Sequence, residues 1–167
     1  MASPRVLILG HSFVHRLQTF MSNSSLDYNS CCRNSAVVRL HGKGGRTILK
    51  VKTLDLHVVR SFRPDIVILQ LGTNDLVTLA PQTVGSAIEE LVQLLHNHFD
   101  VQIVGVCQTL KRCPPPASVT DFNAGVVKLS LYLQVALEQI PFCFYWKHIR
   151  FWNTLFLFLR AFQSWCF

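Results

Sequence analysis

The feature that most limits how this chain can fold is an alternation between two hydrophobic periods. Arg5–Leu9, Ala36–Leu40, Asp65–Leu71, Val101–Val106 and Phe142–Trp146 are short, apolar, β-rich runs, as strands covered on both faces require. Between them apolar residues return at helical spacing: Phe13, Leu17 and Phe20, then Ile48, Val51, Leu54 and Val58. Val84, Ile88, Leu91 and Leu95 form a third stripe, and Phe122, Val126, Leu129 and Leu133 a fourth. Glu89, Glu90, Gln93 and His96 fall outside the third stripe. Pro81 suits a first helical turn, Thr120 reads as an N-cap, and Pro141 breaks the last helix. Five strands separated by four helices predict an α/β protein with a doubly wound parallel sheet and right-handed crossovers.

The 167-residue length suits one domain, read as 1–150, followed by an atypical apolar tail over 151–167. Half the residues are hydrophobic and 15% are charged, which excludes intrinsic disorder. The net charge of +7 is concentrated in Arg33, Arg39, Lys43, Arg46, Lys50, Lys52, Arg60 and Arg63, against Asp55 alone. Such a segment could hold nucleic acid, but Phe62 is its one stacking aromatic, and a solvated helix face plus loop explains it better.

Cys31 and Cys32 are adjacent, Cys107 and Cys113 flank a turn, and Cys143 and Cys166 sit among apolar residues. No Cys-x-x-Cys occurs, so neither a metal site nor a redox pair is indicated, and no cofactor is expected. Val6–Leu9 is too short for a signal peptide and Leu155–Leu159 too short for a membrane span. These features predict an intracellular, cytoplasmic protein with reduced thiols.

Ligands of doubly wound sheets bind at the carboxyl ends of the strands. The informative loops are therefore Gly10–Ser12, Gly42–Thr47, Gly72–Asp75 and the chain from Lys147 onward. Ser12 has two readings, a helix N-cap or a nucleophile beside helix-start N–H groups. Gly45 could offer a backbone N–H to the same oxyanion, although a plain turn explains the glycines too. Asn74 carries a side-chain amide of the kind that completes an oxyanion hole, and Asp75 reads as a cap or loop organiser.

Gly10-His11-Ser12, Gly45-Arg46-Thr47 and Gly72-Thr73-Asn74-Asp75 follow in order at successive strand ends. Together they resemble the motif blocks of the SGNH (GDSL-like) hydrolase superfamily, most closely the esterase-like domains of some retrotransposon open reading frames. The resemblance covers residues 5–150 and implies a flavodoxin-like three-layer sandwich with a five-stranded parallel sheet. It implies Ser12 as nucleophile, Gly45 and Asn74 as oxyanion donors, and a small acyl ester as substrate. His11 stands where the family usually has aspartate. The family's fourth block, Asp-x-x-His, occurs nowhere in the chain, and no acidic residue follows Glu138. His148 is the one histidine beyond His98, with Tyr145 where the family's aspartate would stand, which makes His148 a candidate for a surrogate base that geometry must decide. The expected protein is a C-terminally truncated or altered ester hydrolase, impaired or inactive. The alternative is a non-catalytic retroelement-derived module that binds nucleic acid through residues 33–63.

Overall fold

A computed structural model describes residues 3–23 and 35–148. Five strands, β1 (Arg5–Gly10), β2 (Val37–Gly42), β3 (Ile66–Gln70), β4 (Ile103–Cys107) and β5 (Cys143–Trp146), form one parallel sheet. Their order is β2-β1-β3-β4-β5, the doubly wound arrangement expected of five strands joined by helical crossovers. The helices are α1 (Ser12–Asn23), α2 (Ile48–Lys50), α3 (Leu56–Phe62), α4 (Pro81–Phe99) and α5 (Phe122–Leu137).

Alternation along β1 divides the molecule into layers. Leu7 and Leu9 point into the main core with Val67, Leu69, Ile88, Leu91, Leu129 and Leu133. Ile8 points the other way, against Val14, Met21 and Leu40 beneath α1. The anticipated stripes of α4 and α5 are the buried ones, since Val84, Ile88, Leu91 and Leu95 are inside together with Phe122, Val126, Leu129 and Leu133.

Other details depart from expectation. In α1 the buried residues are Val14 and Met21, whereas Phe13 and Phe20 are 36% and 38% exposed. The helix lies so close to the end of β2 that a Cβ on Gly42 would stand 2.2 Å from the His15 nitrogen. That approach seats the slimmer Val14 inward and turns Phe13 out. Leu54 is 52% exposed because a π-helical turn, Val51–Asp55, joins α2 to α3. The wider turn rotates the inward face, so Asp55 is buried instead. His96 is not a free outer residue: its ring stacks on Phe142 at 3.7 Å, and Nδ1 lies 2.9 Å from the Val101 carbonyl. Asp121, in the left-handed region at φ 55°, occupies the cap position of α5 in place of Thr120.

Cys107, Cys113 and Cys143 are free thiols, and burial pushes Cys107 up to about 11 and Cys143 to about 12. Cys31, Cys32, Cys166, Arg33 and the tail from 151 lie outside the described residues. Among the described residues no helix is long and apolar enough to cross a membrane.

Candidate functional site

Strand register brings three loops to one level. Gly10, the last residue of β1, pairs with Gly42 at the end of β2 and with Gln70 at the end of β3. The ladder runs one bond further on each side: His11 N–H donates to the Gln70 carbonyl at 3.3 Å, and Lys43 N–H to the Gly10 carbonyl at 3.2 Å. The chain therefore leaves β1, β2 and β3 side by side.

At the first exit, His11 rather than Ser12 caps α1. The His11 carbonyl accepts the His15 N–H at 3.2 Å, and its ring Nδ1 accepts the Phe13 N–H at 3.3 Å. With Nδ1 accepting, Nε2 carries the proton and donates to Thr73 Oγ1 at 3.3 Å. Burial drives the His11 pKa down to about 4, helped by the charges of Arg112 and Arg16. Ser12 is thus the first residue of the helix itself, half-buried, and its side chain makes no hydrogen bond with the described residues. Of the two readings of Ser12, the cap role falls to its neighbour. A histidine seldom caps a helix, so no sequence signal marked it.

The second exit is a braced turn. Gly45 has φ +66°, a left-handed conformation that disfavours a side chain, although a Cβ there would touch nothing within 4 Å. Arg46 grips Asp55 through Nε at 2.7 Å and Nη2 at 3.2 Å, and His41 Nε2 lies 3.0 Å from the same carboxylate. Burial alone would raise the Asp55 pKa, but hydrogen bonds and charge from His41 and Arg46 outweigh it and lower it. Thr47 Oγ1 accepts the Lys50 N–H at 3.3 Å and so caps α2.

Asn74 and Asp75, at the third exit, bind this turn. Asn74 Nδ2 donates to the Arg46 carbonyl at 2.7 Å, and Asp75 Oδ1 accepts the Ile48 N–H at 2.9 Å. Asp75 is therefore a loop organiser, as its sequence context suggests. Its burial raises the pKa, the Ile48 N–H opposing, and Oδ2 has no hydrogen-bond partner.

No motif in the sequence marks the exit of β4 as part of the site. There Arg112 Nη2 donates to Asn74 Oδ1 at 2.5 Å. Asn123 fixes Arg112 by accepting its N–H at 3.0 Å and donating Nδ2 to its carbonyl at 3.0 Å. The guanidinium carbon also lies 5.3 Å from the Phe122 ring centroid. The available signal was a cation at a strand's carboxyl end, followed by prolines that hold the loop extended.

His148 follows β5 and reaches back across the sheet. Its N–H donates to Gln108 Oε1 at 3.0 Å, and its ring Nε2 lies 3.3 Å from Gln70 Oε1. Gln70 Nε2 donates to the Gln108 carbonyl at 3.3 Å, which turns the Gln70 oxygen toward the histidine. Nε2 is then the protonated ring nitrogen. Burial lowers the His148 pKa. Because Gln70 pairs with Gly10, the ring is anchored one strand from the exit that leads to Ser12.

No hydrogen bond joins Ser12, Gly45, Asn74 and His148 to one another. They are linked at one remove: Ser12 through His11 and Thr73 to the Asn74 loop, Gly45 through Arg46 to Asn74, and His148 through Gln70 to the end of β1. An open groove of about 550 Å³ runs between α1 and the β2 exit, past His15, Thr19, Ser22, Lys43, Gly44 and Arg46. Among the described residues, no aliphatic or aromatic hydrocarbon side chain lines it.

The basic segment has no comparable convergence. Phe62 is only 8% exposed and lies beneath Arg5 and Arg39, 4.6 and 5.6 Å from its centroid. Arg60 faces Phe99 at 5.9 Å, Lys52 pairs with Glu90 at 2.8 Å, and Arg46 is held by Asp55. The one aromatic that could stack on a base is thus already covered.

The profile of the GDSL-like lipase/acylhydrolase family matches residues 8–144. Solved structures with a similar fold include a Bacteroides fragilis protein assigned as an acylhydrolase, at 18% identity and TM-score 0.68, covering 87% of this chain and 70% of that one. An acetyl xylan esterase aligns at 17% identity and TM-score 0.66, covering 96% and 84%. A GDSL-like lipase of Bacteroides thetaiotaomicron aligns at 16% identity and TM-score 0.65, covering 88% and 72%. No curated protein matches the sequence.

Proposed function

Because this chain belongs to the GDSL-like lipase/acylhydrolase family, we propose that it hydrolyses acyl esters through Ser12, and does so slowly. The supporting observation is the division of labour at the start of α1. His11 takes the capping duty, which leaves the Ser12 hydroxyl uncommitted where backbone N–H groups favour negative charge.

In this reading Ser12 Oγ attacks the ester carbonyl while a base removes its proton. The carbonyl oxygen becomes an oxyanion, met by N–H groups at the helix start, the Gly45 N–H and the second hydrogen of Asn74 Nδ2. Collapse breaks the ester bond and expels the alcohol, which takes up the proton. Water then attacks the acyl-serine by the same route and releases the acid.

His148 is the base, kept neutral near pH 7 by its burial. Its ring Nε2 faces the uncharged Gln70 amide, and the sequence has no Asp-x-x-His carboxylate to stabilise the imidazolium that forms. In a well-studied triad, replacing the aspartate by asparagine lowers kcat by ~10⁴. A comparable deficit is expected here.

The test is hydrolysis of para-nitrophenyl acetate together with labelling by a fluorophosphonate probe. We expect slow turnover and labelling, both abolished by Ser12→Ala. Labelling that survives Ser12→Ala would remove the site, and fast turnover would remove the claim of impairment.

A further inference from the structure

We infer that Arg112 is a positioning residue for the oxyanion site: it fixes the orientation of the Asn74 carboxamide and sets an uncompensated positive charge behind it. The inference rests on the reading of Asn74 as an oxyanion donor.

The Asn74 amide is held at both ends. Its oxygen accepts from Arg112 Nη2, and one hydrogen of its nitrogen goes to the Arg46 carbonyl. Rotating the amide by half a turn would set its oxygen against that carbonyl and its NH₂ against the guanidinium, two repulsive contacts. The second Nδ2 hydrogen therefore has one direction left, fixed before substrate arrives. Preorganised donors of this kind need no rearrangement when charge develops. A cation bound to the amide oxygen also polarises the amide, which makes its N–H a stronger donor.

Arg112 is itself fixed. Asn123 pairs with both its backbone N–H and its carbonyl, and the guanidinium packs against Phe122. Among the described residues it has no carboxylate partner. Half-buried charges are ordinarily paired, and the other buried arginine contact nearby, Arg46 with Asp55, obeys that rule. Arg112 departs from it at the sheet edge where a transient anion would form. Its charge is felt as far as the β1 exit, two strands away, where it helps hold the His11 ring neutral.

The alternative is that Arg112 merely staples the β4 exit to the β3 exit. Arg112→Met and Arg112→Lys separate the two. The measurements are the fluorophosphonate labelling rate of Ser12 per folded molecule, kcat and KM for para-nitrophenyl acetate, thermal unfolding, and the Asn74 side-chain amide signal in ¹⁵N–¹H spectra. For Arg112→Met we expect labelling and kcat to fall about 10-fold, less than the loss of a direct oxyanion donor. KM should stay within about twofold and the Asn74 signal should shift. Arg112→Lys keeps the charge without the rigid fork and should recover part of the rate. An unmoved Asn74 signal, or an unchanged rate per folded molecule in Arg112→Met, overturns the inference. If the wild-type chain is not labelled at Ser12, the hydrolase reading fails, and the Asn74 signal still decides whether Arg112 orients that amide.

Discussion

His148 and Gln70 show how a single substituted atom sets the strength of a base. A carboxylate behind an imidazole fixes its tautomer and also stabilises its charged form. The Gln70 amide can do the first but not the second, since its oxygen accepts the Nε2–H at 3.3 Å while carrying no formal charge. Burial lowers the His148 pKa from its ordinary 6.5. A general base acts unprotonated, so the proposed activity should be flat near neutral pH and fall as pH drops through an inflection below 6.5. Gln70→Glu supplies the missing charge at the cost of one hydrogen bond to the Gln108 carbonyl. It should move the inflection to higher pH and raise kcat by about 10-fold or more, a fraction of the effect of a native triad carboxylate. A kcat–pH profile decides this. An inflection unmoved in Gln70→Glu would show that His148 is not the titrating base.

The docking of α1 onto the sheet places Ser12, and Gly42 controls that docking. A Cβ at Gly42 would lie 2.2 Å from the His15 nitrogen and 2.6 Å from the Val14 carbonyl carbon, both backbone atoms. Neither can turn aside as a side chain would. Gly42→Ala must lift α1 or bend β2, at about 1–3 kcal/mol for overpacking of this kind. It should lower the unfolding midpoint and suppress Ser12 labelling in the molecules that remain folded. Normal labelling at wild-type stability would show that the contact relaxes without moving the serine. The same contact explains why α1 was misread from its sequence. Phe13, Leu17 and Phe20 make as good a stripe as Val14, Leu17 and Met21, and only the closeness of the strand chooses between them. The strands, α4 and α5 were legible because a long regular period admits one inward face. The π-turn at Val51–Asp55, the His11 cap and the grip of Arg112 on Asn74 were not legible. Each depends on a partner brought close by folding, at sequence separations of up to 62 residues.

At the scale of the molecule, Asp55, Asp75 and His11 are buried groups among the described residues whose shifts shape the response of stability to acid. Asp55, held low by His41 and Arg46, contributes stability that is present above its unfolded pKa and lost as pH falls through its folded one. Asp75 works in the opposite sense: burial raises its folded pKa, so its contribution fades as pH rises from 3.8 through that raised value. His11 covers the widest window. Its pKa is about 4 when folded against 6.5 when unfolded. Between those values the unfolded chain binds a proton that the folded chain refuses, so acidification draws the equilibrium toward unfolding. Its full size is about 3 kcal/mol, at 1.36 kcal/mol for each unit of displacement. His11→Asn offers a clean comparison, because asparagine is among the best N-caps and does not titrate. The variant should keep α1 capped and flatten the decline in stability between pH 6.5 and 4, gaining on the wild type at pH 5 even if the lost Thr73 contact costs it something at pH 8. Denaturant unfolding at a series of pH values measures both slopes. Equal slopes in the two proteins would mean that His11 does not govern the acid limb, and that the neutral ring bridging Phe13 and Thr73 is not what ties the first strand exit to the third.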